Sequence, residues 1–202
     1  MKHTAHLPAR LVILLAVTLV GACSVLPEPN RYELYRLPPS SLNEQPVEPS
    51  ATSLEIRAPR ADDLTSSNRV VVLREGQRLS AWSGIRWSAP APELWRDQVL
   101  DAFHNTGAFR TLGIRDDNLN ADLGLSGHLR AFLVDQTGAT PRAVIRFDAQ
   151  LVDRREDGTR ATRRFNVSEP LAKNTPTAAA RAMGTATDRM AEQLLDWMAS
   201  ER

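Results

Sequence analysis

The residue of this chain most able to do covalent chemistry is Cys23, the single cysteine among 202 residues. With one thiol no intramolecular disulfide can form, and an exported protein needs some use for an unpaired thiol. The three residues before it, Val-Gly-Ala at positions 20–22, are small or aliphatic. Such residues let a peptide lie extended in a narrow protease groove. The unpaired thiol of Cys23 therefore calls for an explanation, which the segment before it supplies.

The segment before Cys23 is typical of a secretory signal. A basic start precedes an apolar run from Leu11 to Ala22, which fits a signal peptide and is short for a membrane-spanning helix. The junction resembles the bacterial lipobox, in which the cysteine thiol forms a thioether to a diacylglyceryl group. Residues 1–22 are therefore predicted to be a lipoprotein signal peptide, and residues 23–30 an acylated tether. The alternative is an ordinary signal peptide followed by a chance cysteine.

The lipobox resemblance also implies a location. Two or more acyl chains anchor a protein stably to a bilayer, so the mature chain would be tethered without spanning it. In lipoproteins of this kind an aspartate after the cysteine retains the protein in the inner membrane, whereas here Ser24 follows. The mature protein is therefore predicted to be anchored to the outer membrane, on its periplasmic side.

The remaining residues show no pattern of catalysis or metal binding. His104 and His128 stay after the signal is removed, and neither has the spacing of a metal site or a nucleophile elbow. No glycine-rich phosphate loop is present either. We therefore expect a protein that is not an enzyme, with no catalytic residue, no metal site and no cofactor.

The charge balance bears on the kind of partner. Once Lys2 and Arg10 leave with the signal, 24 acidic residues stand against 23 basic ones. Nucleic-acid binding needs a concentrated basic surface, so we expect no nucleic-acid partner.

Alternating apolar residues predict most of the strands. The first strand is expected at residues 31–37, and further strands at 54–58, 70–73 and 78–82. Residues 121–168 read as an antiparallel meander, in which Gly127 marks a bulge or a close helix contact. Prolines at 38, 39, 46 and 49 predict a flexible, exposed segment over residues 38–52.

Two amphipathic helices complete the predicted domain. The first spans about 93–106, with a stripe of Trp95, Val99, Ala102 and Phe103. The second begins after Thr175, a good N-cap followed by a proline. The predicted fold class is α+β, a single domain over residues 31–202 with a mostly antiparallel sheet and both helices on one face.

One surface of this predicted sheet could bind a partner. Basic residues crowd the hairpin formed by the last two strands, and we take four of them as candidate partner-binding residues: Arg142, Arg146, Arg163 and Arg164. Arginines on a sheet can dock an acidic partner or phospholipid head groups. The alternative is a solvated sheet face with cross-strand ion pairs, each of which contributes little.

Several short motifs follow one another in an order that resembles a known family. They are the lipobox, residues 31–37, the LEIRAPR stretch at 54–60, residues 86–90 before the first helix, residues 105–109 after it, the strand pair around Gly127 and 151–153, and residues 161–165. Together they resemble the ABC-type transport auxiliary lipoprotein family over nearly all of the mature chain. Each motif is only moderately specific, and their ordered combination carries the resemblance.

The resemblance implies a non-enzymatic periplasmic component that works with an ABC transporter and a mammalian-cell-entry-type protein. Such systems move lipids between the inner and outer membranes. The resemblance is also compatible with a homo-oligomer. A different reading of the residues is a structural envelope lipoprotein that helps to assemble an outer-membrane or cell-wall complex. A third is a carrier that itself encloses a lipid, which would need a large apolar cavity.

Overall fold

The computed structural model describes residues 31–43, 50–117, 119–156 and 158–201. The predicted signal peptide and tether, including Cys23 and Ser24, lie outside these residues. The strands are β1 Glu33–Tyr35, β2 Leu54–Ile56, β3 Val71–Arg74, β4 Arg78–Ala81, β5 Ile85–Trp87, β6 Leu112–Ile114, β7 Leu123–Asp135, β8 Arg142–Asp153 and β9 Gly158–Pro170. The helices are α1 Ala91–Thr106 and α2 Pro176–Ser200.

The central strand of the main sheet is β7, which is paired along both edges. On one edge β8 runs antiparallel to it over almost its whole length, and β9 pairs with β8 in turn. On the other edge β2 pairs with the start of β7 and β3 with its end, both in parallel. Strands β6 and β4 extend the sheet beyond β2 and β3. The first strand lies apart from this sheet, in a parallel pair with β5.

The α+β class is confirmed, but the prediction of a mostly antiparallel sheet is wrong, because β2, β3 and β6 all pair in parallel. A parallel pair needs a long connection between its strands. The chain between β3 and β7 supplies one, since it contains β4, β5, α1 and β6. Alternation of apolar residues identifies a strand but carries no information about its direction.

The antiparallel meander of β7, β8 and β9 is confirmed. Its apolar and polar residues alternate because successive residues of a strand point to opposite faces of the sheet. Phe147 of β8 pairs with Phe165 of β9, and both rings face the core. A bulge in β7 lies between Leu129 and Ala131, so that Arg130 has no partner residue on β8.

Both helices pack on the core side of the meander, which we call the inner face. The ring of Trp95 in α1 lies 4.3 Å from that of Phe147, and Trp197 in α2 lies 5.6 Å from Phe165. All four residues of the predicted α1 stripe are fully buried. The helices also touch each other, since Nε2 of Gln98 donates a hydrogen bond to buried Asp188 at 3.1 Å. Neither of these two helices covers the opposite side of the sheet, which we call the outer face.

The helix ends follow the sequence signals. Gly107 ends α1 with φ of 65°, the left-handed conformation that glycine adopts without strain. Phe109 then stacks on Phe103 at 5.8 Å. At the start of α2 the hydroxyl of Thr175 accepts a hydrogen bond from the N–H of Ala178 at 3.3 Å.

Gly127 marks a close approach between β7 and β8, and not the bulge or the helix contact that the sequence suggested. Its φ is 154°, and a Cβ there would lie 2.1 Å from the carbonyl oxygen of Asp148 and 2.7 Å from the Phe147 ring. Only glycine fits both the backbone conformation and the space.

The segment after β1 is tied to both helices. Residues 36–43 form what we call the strap. The backbone N–H groups of Ser40 and Ser41 donate to Asp101 of α1 and Asp188 of α2, each at 2.8 Å. Buried Leu37 packs into the core. The strap therefore holds β1 in a fixed position relative to the helices.

The strap overlaps the segment 38–52 for which the prolines predicted a flexible, exposed linker. Pro38 and Pro39 are exposed, as in a linker, but the residues that follow are hydrogen-bonded to the helices. Residues 44–49 lie outside the described part of the chain.

We expect Gly127→Ala to destabilise the domain strongly. Strained backbone at such a position costs about 1–3 kcal/mol, and the overlap with Asp148 and Phe147 adds to it. Gly124→Ala is the matched control on the same strand, because its Cβ would meet only the Arg154 side chain, at 3.7 Å. Chemical denaturation of both variants checks this. Equal free energies of unfolding for the two variants would contradict it.

We expect Gly184→Ala in α2 to displace the strap. A Cβ there would lie 2.7 Å from the ring carbons of Pro38, and such overpacking costs about 1–3 kcal/mol, more than the gain of about 1 kcal/mol from alanine in a helix. Trypsin should then cleave faster after Arg36. In the double variant with Pro38→Ala the overlap is gone, so cleavage should match that of Pro38→Ala alone. No difference between Gly184→Ala and the wild-type chain would count against the packing described here.

Candidate docking surface

The outer face of the meander carries most of the predicted arginine cluster. Arg142 and Arg146 on β8 and Arg164 on β9 all point to this face, as the pairing of Asp148 with Arg164 shows. Arg163 pairs with Ala149 and points to the inner face, where its guanidinium carbon lies 5.3 Å from the centroid of the Phe165 ring. Adjacent residues of a strand face opposite ways, so the sequence already held the information that separates Arg163 from Arg164.

Asp148 organises the arginines of the outer face. Arg164 donates two hydrogen bonds to its carboxylate, the one from Nη2 at 2.9 Å, and Nε of Arg130 donates another at 2.9 Å. The hydrogen bond from Arg164 is the main reason that the pKa of Asp148 is held well below its usual range. Partial burial opposes this shift, and Arg130 reinforces it. The same contact raises the pKa of Arg164.

Sequence reasoning missed Arg130, although the alternation of β7 already places it on the outer face, next to inward-facing Leu129. There its Nε donates a hydrogen bond to Asp148. The bulge after Leu129 instead shifts the residues that follow, so that Ala131 points to the outer face and Phe132 to the inner one. Bulges commonly re-aim side chains in this way. The apolar residues of this strand alternate through residue 133 in the sequence, which gives no sign of the bulge.

The remaining outer-face arginines are less constrained. Arg142 donates to the hydroxyl and to the carbonyl oxygen of Ser168, both at 3.1 Å. Arg146 is exposed and makes no hydrogen bond or ion pair within the described ranges 31–43, 50–117, 119–156 and 158–201. Around Asp148 the outer face therefore presents one carboxylate and several guanidinium groups, and Arg146 is available to an incoming anion.

An apolar strip adjoins these arginines where β3 pairs with the end of β7 and β4 pairs with β3. Val144 of β8 pairs with Leu133 of β7, and Leu73 of β3 pairs with Leu79 of β4, all on the outer face. Leu79 is 53% exposed, and it lies on a strand at the edge of the sheet. An apolar centre beside arginines is a common composition for a protein interface.

A second charged group stabilises the other end of the outer face. Glu55 of β2 is only 2% exposed, and it is paired with Arg57 and with Arg154, whose Nη1 lies 3.1 Å from Oε1. Its neighbours across the sheet are Gly113 and Gly124, which leave room for these side chains. A buried carboxylate requires such partners, so we read this group as structural.

The two histidines of the described ranges lie on different elements, α1 and β7. His104 is exposed on α1, and His128 lies beside Arg60 across an isolated bridge. Within the described ranges no group of His, Cys, Asp and Glu could hold a metal ion. Four surface clefts have volumes of about 250–400 Å³. One of them is lined by Asp153, Glu156 and Arg160 among others, and these polar walls do not suit an acyl chain. None of the described helices is long and apolar enough to cross a membrane.

Comparison with known proteins agrees with this architecture. Residues 35–194 match the family model described as the ABC-type transport auxiliary lipoprotein component. The chain is similar to the crystal structure of protein XCC0632 from Xanthomonas campestris, assigned to family DUF330, with 24% identity and a TM-score of 0.75 over 84% of this chain and 96% of that one. A second crystal structure, of an uncharacterized protein, has 13% identity and a TM-score of 0.65 over 83% and 99% of the two chains. No curated protein sequence matches.

We expect Asp148→Asn to lower the free energy of unfolding at neutral pH, but to lower it less in acid. The pKa of Asp148 is lowered in the folded state, so its contribution is present above the unfolded pKa of about 3.9. It is lost as the pH falls through the lower folded value. The wild type and the variant should differ in unfolding free energy by about 1 kcal/mol or less, as exposed ion pairs do. This difference should shrink as the pH falls below about 5. A difference that stays constant over this range would argue against the Arg164 contact.

Proposed function

The chain belongs to the ABC-type transport auxiliary lipoprotein family, and on that premise we propose that it helps an ABC transporter to move lipids between the two membranes of a Gram-negative envelope. The single observation that carries this proposal is the family match over residues 35–194. Membership makes it an accessory lipoprotein of ABC-type transport. The lipid cargo and the location are steps beyond the match.

In this proposal Cys23 is acylated and Ser24 directs the mature chain to the outer membrane. Eight residues, Ser24–Arg31, then separate the anchor from Tyr32. At about 3.3 Å per residue they span at most roughly 26 Å. The domain would therefore work close to the periplasmic surface of the membrane.

The partner in this proposal is a mammalian-cell-entry-type protein, which docks on the outer face. Two features support this surface. The arginines around Asp148 outnumber its one carboxylate and would attract an acidic partner and orient its approach. The apolar strip that ends in exposed Leu79 supplies area that a partner can bury. The protein would act by binding, with no chemical step of its own.

We expect the full-length lipoprotein, captured from solubilised envelopes, to recover a mammalian-cell-entry-type protein. The Arg146→Glu and Leu79→Glu variants should each weaken recovery about tenfold, the effect of 1.4 kcal/mol. Both replace an exposed outer-face residue and introduce a charge that an acidic partner repels. Quantitative mass spectrometry of the captured proteins measures the effect.

Arg163→Glu is the matched control, because it makes the same charge change on the inner face. Its recovery should equal that of the wild type, provided that all variants unfold at similar temperatures. Cys23→Ala should lose the partner if tethering is required. Equal recovery by Arg146→Glu and Arg163→Glu would remove the outer face from the proposal. Recovery of only porin-assembly or cell-wall proteins would instead favour a structural envelope lipoprotein.

A further inference from the structure

The first strand presents an unusual exposed surface. Among the described residues only three large hydrophobic side chains are exposed, and two of them lie on or beside β1: Tyr32 at 41% and Leu34 at 67%. Single exposed apolar residues are common on protein surfaces and need no explanation. Here two of them are two residues apart, within and just before β1, and so share one side of this extended segment, which makes a small patch.

Arginines frame this patch. Arg86 of β5 pairs with Leu34, and its guanidinium carbon lies 4.3 Å from the centroid of the Tyr32 ring. Arg36 follows the strand and is exposed. We call Tyr32, Leu34, Arg36 and Arg86 the β1 patch. Tyrosine and arginine suit the boundary between lipid head groups and acyl chains, because each has an apolar ring or stem and a polar tip. Leucine suits the apolar side of that boundary.

The β1 patch is held rigidly by the domain. On the other side of the strand Tyr35 packs against the core and Leu37 is buried. The N–H of Glu33 donates to the carbonyl oxygen of Gly84 at 3.0 Å, and the N–H of Ser88 donates to that of Tyr35 at 2.7 Å. The strap then continues onto both helices. Whatever binds the patch would therefore fix the orientation of the whole domain.

The position of the patch in the chain identifies its occupant. Tyr32 comes nine residues after Cys23, the proposed point of acylation. A short tether turns binding to the same membrane into an intramolecular event with a high effective concentration, so a small patch is sufficient. Two arginines also complement the negative charge of anionic lipid head groups.

We propose that the β1 patch docks on the phospholipid surface that holds the anchor, with Leu34 and Tyr32 at the head-group boundary and Arg36 and Arg86 on anionic head groups. This inference rests on the proposed acylation of Cys23. Docking would turn the domain so that one fixed side faces the membrane. The outer face, which is formed by other strands, would remain available to a periplasmic partner.

A single probe on the patch tests this. Once Cys23 is acylated, Leu34→Cys adds the only free thiol, which can carry an environment-sensitive fluorophore. The full-length acylated protein is placed in vesicles of phosphatidylethanolamine and phosphatidylglycerol that contain head-group nitroxide lipids. Leu79→Cys, similarly exposed but on the outer face, is the matched control. Quenching should be at least threefold stronger at position 34 than at position 79.

The arginines are tested in the same assay. Arg36→Gln with Arg86→Gln should bring quenching at position 34 down towards that at position 79, and neutral phosphatidylcholine vesicles should do the same. Equal quenching at the two positions in anionic vesicles would overturn the proposal. It would also be overturned if position 34 becomes shielded only when the transporter proteins are added, since the patch would then be a protein-binding site.

A separate arm distinguishes failure of the anchor from failure of the patch. Mass spectrometry shows whether Cys23 carries acyl chains. The mature chain from residue 23 with Cys23→Ala and labelled Leu34→Cys is then titrated with anionic vesicles. The proposal expects a shift in probe fluorescence at higher lipid concentration than with the anchored chain. No shift at position 34 beyond that at position 79 would overturn the patch, whatever the state of Cys23.

Discussion

The pairing of β7 along both edges is the constraint on which the rest of this structure depends. A thirteen-residue strand in the middle of a sheet has to have its N–H and C=O groups paired on both sides. The antiparallel strand β8 satisfies one edge. Two short strands, β2 and β3, share the other, and the bridge between Arg60 and His128 lies between them. The chain before β7 therefore forms two short strands, β2 and β3, that both pair with the same edge of β7.

This arrangement separates the chemistry of the two faces. Both helices cover the inner face, where the aromatic rings of α1, α2 and the meander pack together. Neither α1 nor α2 covers the outer face, so its polar side chains pair with one another or with solvent. Asp148 with its two arginines and Glu55 with Arg57 and Arg154 do this. What remains unpaired there, above all Arg146, is the part open to a partner, which suits an accessory protein that works by binding.

The strap determines how the proposed anchor would be connected to the domain. If the chain before β1 were joined to the domain by a loose linker, acylation would only raise the local concentration of the domain. Instead β1 pairs with β5, and the strap is bonded to Asp101 and Asp188 on the two helices. The proposed tether, of roughly 26 Å at full extension, would then join the membrane to a rigid part of the domain. In the proposed arrangement the membrane and the partner occupy different surfaces of the same rigid body.

The sequence by itself determined those features that depend on neighbours along the chain. Helical periodicity placed the stripe of Trp95, Val99, Ala102 and Phe103 in the core, Gly107 and Thr175 marked helix ends, and strand alternation located the meander. The lipobox and the order of the motifs also sufficed to suggest the family that the match over residues 35–194 supports.

Only the tertiary structure decided the features that depend on pairing between distant segments. Periodicity is the same for parallel and antiparallel strands, so the directions of β2, β3 and β6 could not be read from it. The bulge that turns Ala131 to the outer face, and the close approach at Gly127, depend on the register with β8. The sequence predicted a linker here because the strap contains Pro38 and Pro39, whereas hydrogen bonds to helices some 60 to 150 residues further along the chain hold it in place. Local sequence cannot encode such contacts, because each partner becomes a neighbour only once the sheet and helices have assembled.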